Sequence, residues 1–133
     1  MSGVVLDTHT VIWYVLRSTR LSAAGLAALE RASDAAEPVY LASISLVETR
    51  YLIERGRVPE DVLDRLERAL TGSDAVLTLA SLDLEVAQAM AQIPRSLVPE
   101  MPDRIIAATS LHLNAPLITR DRLLRAAPIT TIW

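Results

Sequence analysis

The chain has 133 residues, a formal charge of −3 and no cysteine. That length suggests one domain spanning residues 1–133, able to bury roughly 70% of its unfolded surface without a staple; the missing cysteine excludes a disulfide scaffold and thiolate chemistry and fits a reducing compartment. The start lacks a basic region followed by an apolar core, and no stretch reaches the ~20 apolar residues of a membrane span, so a cytoplasmic protein without membrane attachment is expected.

Short aliphatic runs alternate with helical ones along the chain. Residues 4–7, "VVLD", read as the first strand, and 8–16 as the helix behind it. Residues 22–35 read as a helix opened by a Ser22 cap, followed by a strand at 38–42. The next helix, 45–55, stops at Gly56, and another over 59–71 begins with proline in its first turn. A strand at 75–79, a helix at 82–93 and a loop over 92–103 precede a helix at 103–113. The chain closes with a strand at 116–119, a short helix at 122–126 and a strand at 129–133. The strands are aliphatic and rarely alternate with polar residues, as in a parallel sheet covered on both faces. The pattern predicts an α/β sandwich with right-handed crossovers, whose ligands gather at the carboxyl ends of the strands.

Four acids stand out by position. Asp7 closes the first strand, Asp121 follows the fourth in "PLITRDRL", Asp103 opens a helix in "EMPDRIIAA", and Glu48 lies in the helix after the second strand. Each also has a structural explanation. Asp7 or Thr8 can cap the first helix, Asp121 can cap the short helix behind it, and Asp103 can favour its helix dipole. Ser45 and Glu48 fit a capping box, which disappears if Ser43 is the cap instead. Glu48 falls, on a helical wheel, within an apolar face made by Ile44, Val47, Tyr51 and Leu52, where an unpaired carboxylate is costly. Carboxylates gathered together repel unless a cation compensates, and an all-oxygen site suits Mg²⁺ or Mn²⁺. Such ions support hydrolysis of phosphate esters. Every one of the 13 basic residues is arginine, a planar bidentate donor to phosphate. Neutralising four of the 16 acids leaves twelve against those 13 arginines, so the net charge is compatible with a nucleic-acid substrate.

The segments "VVLDTHTVIW", "SISLVET", "MPDRIIAATSLHL" and "PLITRDRLL" together resemble the PIN-domain ribonucleases, and more closely the VapC-type toxins of bacterial toxin–antitoxin pairs. The resemblance covers almost the whole chain. It implies a PIN-like three-layer α/β/α sandwich around a central, mostly parallel five-stranded sheet. It implies a Mg²⁺- or Mn²⁺-dependent nuclease centre built from Asp7, Glu48, Asp103 and Asp121, with Thr8 and Thr119 orienting carboxylates or metal waters. The implied activity is endonucleolytic RNA hydrolysis by metal-activated water. The implied partners are a VapB-type antitoxin and a second copy of the chain as a homodimer. Trp13, Tyr14, Tyr51 and Ile53 are candidates for the antitoxin's docking surface, although most of them suit the core. His9 stands where many relatives carry serine or asparagine, and is a candidate substrate contact or a packing residue. Arg104, Arg120 and Arg122 flank the acids and are candidate phosphate contacts, surface residues or partners of the acids. His112 lies toward an apolar helix face and reads as a core histidine.

Two rival enzyme readings fail on residues. A haloacid-dehalogenase-like phosphatase needs an aspartate at position 9, which is histidine, and it needs a lysine, as does a receiver domain. The remaining alternative is a catalytically weak module of the same fold that binds RNA or protein.

Overall fold

The computed structural model describes residues 3–133. Its elements are β1 (Val4–Leu6), α1 (Thr8–Val15), α2 (Ala23–Asp34), β2 (Val39–Ala42), α3 (Ser43–Glu54), α4 (Val62–Leu70) and β3 (Thr78–Ala80). They continue with α5 (Leu84–Ala89), a 3₁₀ turn at Met90–Gln92, α6 (Met101–Leu113), β4 (Leu117–Ile118), α7 (Arg122–Arg125) and β5 (Thr131–Ile132). The five strands form one sheet in the order β3-β2-β1-β4-β5, and every pairing is parallel.

The sheet divides two apolar layers, because successive side chains of a strand point to opposite faces. Val4 and Leu6 of β1 join Val11 and Ile12 of α1, Ala28 and Leu29 of α2, and Val62 and Leu66 of α4. Val5, between them, faces the other way into Val86 of α5, the Ile105–Ala108 stretch of α6 and Leu124 of α7. The result is a three-layer α/β/α sandwich. The chain first extends the sheet from β1 to β2 and β3, then returns to the far side of β1 to lay down β4 and β5. The carboxyl ends of β1 and β4 therefore meet at the point where strand order reverses, the usual place for a ligand crevice in such sheets.

The element boundaries differ from the expected ones for local reasons. The strand expected at 75–79 starts only at Thr78, because the amides of Val76 and Leu77 are spent on the Ala69 carbonyl at the end of α4. The helix expected from Pro59 starts at Val62, after a turn in which the Val62 amide donates to the Pro59 carbonyl. The helix expected over 82–93 is capped by Asp83 and tightens into the 3₁₀ turn at Met90. Ser22 does cap α2, through the Gly25 amide. His112 is exposed, so it is not a core histidine; the buried side of α6 runs through Ile105–Ser110 instead. Among the described residues, no helix is long and apolar enough to cross a membrane.

The entry into β1 is tight. Gly3 has φ +70°, and a Cβ there would lie 2.0 Å from the Pro38 carbonyl oxygen, which also accepts the Val4 amide at the first rung of the β1–β2 ladder. Left-handed backbone of this kind favours glycine. Gly3→Ala is expected to lower stability by about 1–3 kcal/mol in urea titration; an unchanged midpoint would show that the β1 entry relaxes freely.

Candidate metal-binding pocket

Asp7 follows β1 directly and is the N-cap of α1, with its Oδ1 accepting the Thr10 amide at 2.8 Å. Its Oδ2 accepts the hydroxyl proton of Thr119 at the end of β4, and the Thr119 oxygen in turn accepts the Asp121 amide at 3.0 Å. A hydrogen bond from the Thr10 hydroxyl to the Ile118 carbonyl at 3.0 Å adds a second tie between α1 and β4. The cap thus fixes the side chain that the pocket displays. Only 8% of Asp7 remains exposed. Asp121 repeats the arrangement at α7, where its Oδ1 accepts the Leu123 and Leu124 amides.

Glu48 is positioned by α3, whose orientation is not the expected one. Ala42, not Ser43 or Ser45, is the N-cap residue and makes no side-chain cap, so the capping box is absent. Val47 is 52% exposed and Tyr51 60%, whereas Ser45 and Thr49 are the buried residues of the helix. Ile44 and Leu52, on either side of Glu48, do pack partly against the core, but Val47 and Tyr51 do not share that face: α3 buries Ser45 and Thr49 and turns those two outward. The Glu48 Oε1 accepts the Thr8 hydroxyl at 2.5 Å, and the Thr8 oxygen lies 2.9 Å from the buried Ser45 hydroxyl. Burial raises the Glu48 pKa, with the Asp7 and Glu100 charges adding to it, while the Thr8 hydrogen bond and His9 act against it.

Asp103 lies in the first turn of α6, which begins at Met101 rather than at the aspartate. Among the described residues no hydrogen bond reaches its carboxylate. Burial, then the charges of Asp121, Glu48, Asp7 and Glu100, push its pKa up to about 7. Glu100, one helical turn before Asp103, was not among the acids that strand position marks; its spacing in "PEMPD" was the available signal.

Asp7, Glu48, Asp103 and Asp121 line one pocket of about 480 Å³, together with Thr8, His9, Trp13, Arg120 and Arg122. Among the described residues none of the four acids is tied to an arginine, the single ion pair being Arg65 with Asp61 on α4. Arg120 stacks over the Trp13 ring at 5.1 Å, so its charge stays in the pocket without neutralising a carboxylate. Trp13 also stacks against His9, with ring centroids 5.8 Å apart. Trp13 is buried, as its core reading expects, and it also lines the pocket; its place one turn after His9 on α1 was the clue to that second role. Arg104 is not brought to the pocket: its guanidinium donates to the Met90 and Ile93 carbonyls and ties α6 to the preceding loop. Tyr14, near the end of α1, packs partly against the core.

The four acids offer oxygen donors only; burial first and then the neighbouring carboxylates raise the Asp103 pKa, and a divalent cation would offset that carboxylate repulsion. No three acidic or histidine side chains among the described residues stand close enough to enclose an ion unaided. The arrangement therefore fits a hard ion that keeps several waters and takes one or two carboxylates directly, as Mg²⁺ does.

A parallel sheet with carboxylates gathered at its reversal point defines an α/β protein with an acidic pocket at the carboxyl ends of its strands. The PIN domain family matches residues 4–129, and the chain belongs to that family. It is 32% identical over 139 aligned residues to Ribonuclease VapC22 of Mycobacterium tuberculosis, covering all of both chains. The structure of VapBC2 from Rickettsia felis bound to a DNA fragment from their promoter superposes with TM-score 0.70 at 16% identity, covering 96% of this chain and 95% of that one. FitAcB from Neisseria gonorrhoeae superposes with TM-score 0.62 at 25% identity, covering 96% and 95%.

Two measurements check the geometry. The folded chain holds the Asp103 proton to about pH 7, against an ordinary value of 3.8. Between those values the folded state binds more protons than the unfolded one, so stability without metal falls as pH rises through the window. Thermal melts in chelator should show that fall, and a smaller one in Asp103→Asn; parallel profiles would remove Asp103 as its source. Thr119→Val removes the donor to a buried carboxylate and should cost about 1–3 kcal/mol in urea titration; a neutral result would mean that the Asp7 anchor is dispensable.

Proposed function

We propose that the chain is a Mg²⁺- or Mn²⁺-dependent endoribonuclease, the toxin of a toxin–antitoxin pair. The observation that carries this is the pocket itself: Asp7, Glu48, Asp103 and Asp121 come from four separate segments, line one cavity and have no arginine partner among the described residues. The relative named Ribonuclease VapC22 supports the reaction class.

Asp7, Glu48 and Asp103 would hold the ion, directly or through water, and Asp121 would orient the attacking water. When bound, the cation supplies positive charge against the phosphate oxygens and makes water more acidic. The chain's own part is positioning. Thr119 and the Thr10 amide fix both oxygens of Asp7, and Thr8 fixes one oxygen of Glu48, so the carboxylates are set before the substrate arrives. Arg120 and Arg122, exposed at the pocket, pair with phosphate oxygens of the RNA. His9, exposed on the same wall, contacts the substrate. No covalent intermediate with the protein is needed.

The protein works as one domain in the cytoplasm, with a VapB-type antitoxin and a second copy of itself as partners. The VapBC2 structure supports the first partner, and exposed Val47 and Tyr51 on α3 offer apolar surface for either. The open spacing of the carboxylates favours one other reading, a catalytically weak module that binds RNA or protein.

Purified chain with Mn²⁺ or Mg²⁺ should cleave RNA and stop in EDTA. Asp7→Asn or Asp103→Asn should reduce cleavage about 10²–10³-fold, the equivalent of a few kcal/mol of lost charge stabilisation. Full activity in either variant counts against the site. Absence of cleavage in the wild type, with RNA affinity insensitive to EDTA, would support the binding module.

A further inference from the structure

A second groove, of about 410 Å³, opens from the acidic pocket and shares His9 and Trp13 with it. It follows α1 from His9 to Leu16, about 10 Å at 1.5 Å per helical residue. Ile12, Leu16, Leu52 and Val58 give it apolar walls from α1 and from the end of α3. Two arginines, Arg20 beyond α1 and Arg57 beyond α3, line it, and both are exposed. Among the described residues neither makes an ion pair. Arg57 is held in place by its backbone, whose amide donates to the Leu52 carbonyl in the turn that ends α3.

We propose that this groove is the track for the single-stranded RNA flanking the scissile phosphate, with Arg20 and Arg57 holding the backbone. The proposal rests on the nuclease reading and specifies where that substrate runs. A phosphodiester at the carboxylates belongs to a strand that must leave the pocket, and the pocket's own acids repel it. The groove offers the opposite chemistry next door: apolar walls that accept base faces and two unpaired guanidinium groups that accept phosphate. An apolar groove lacking cations would have suited a neutral protein helix; this one is complementary to an anionic chain carrying flat apolar groups.

Binding is measured with the full-length chain carrying Asp7→Asn, so that cleavage does not enter, using a randomised single-stranded RNA oligonucleotide across a salt series. Arg20→Gln and Arg57→Gln should each weaken binding several-fold and lower the slope of log affinity against log salt by about 0.7, one phosphate contact each. Arg31→Gln on α2, the same charge change away from the groove, should lower it less. In the cleaving protein the two groove variants should lose activity through KM. Unchanged affinity and slope in both, or an equal loss in Arg31→Gln, overturns the proposal and leaves the groove to a protein segment. Failure of the nuclease reading is separate: it shows as no cleavage by the wild type, whatever the binding results.

Discussion

The hydrogen bond from Thr119 to Asp7 is the constraint on which the site depends. It joins the ends of β1 and β4, the two strands between which the sheet reverses its order. Because Thr119 also accepts the Asp121 amide, one hydroxyl sets two of the four acids. The Thr10 amide holds the other Asp7 oxygen, so the side chain has no freedom to swing away from its neighbours. A carboxylate that is nearly buried beside other carboxylates needs such fixed donors to stay there.

The electrostatics of the pocket are left unbalanced. Asp103 receives no hydrogen bond among the described residues, and its neighbours are acids. The nearest arginines do not cancel this: Arg120 lies over Trp13, and Arg104 turns to backbone carbonyls. A fold optimised for stability alone would pair these charges or bury apolar side chains in their place. The four acids keep no ion pair among the described residues, while two exposed arginines, Arg20 and Arg57, line the adjoining groove.

Much of the fold was legible because fully buried parallel strands are written as uninterrupted aliphatic runs. "VVL" and "VYLA" needed no tertiary information. Asp7, Asp121 and Asp103 were legible because each follows a strand end or lies at the opening of a helix, whereas Glu48 sits within α3. What failed was orientation. The helical wheel of α3 assumed that apolar side chains face inward, yet at the sheet's rim Ser45 and Thr49 are buried while Val47 and Tyr51 face out. Arg104 sits next to Asp103 in the chain, but consecutive helical residues point about 100° apart, and its long side chain reaches Met90 instead. The start of α4 at Val62 was set by the turn from Pro59, and the late start of β3 by two amides spent on the Ala69 carbonyl, neither of which a local pattern contains.

The two residues joined by that central hydrogen bond lie 112 positions apart in the chain. During synthesis, Asp7 emerges long before the strand that anchors it. A growing polypeptide can lay β2 and β3 beside β1, but the fourth strand and both Thr119 and Asp121 arrive only near the end. Domains fold largely as units once their segments are available. The nascent chain thus has Asp7 and Glu48 in hand well before it has the hydroxyl that fixes Asp7 in place.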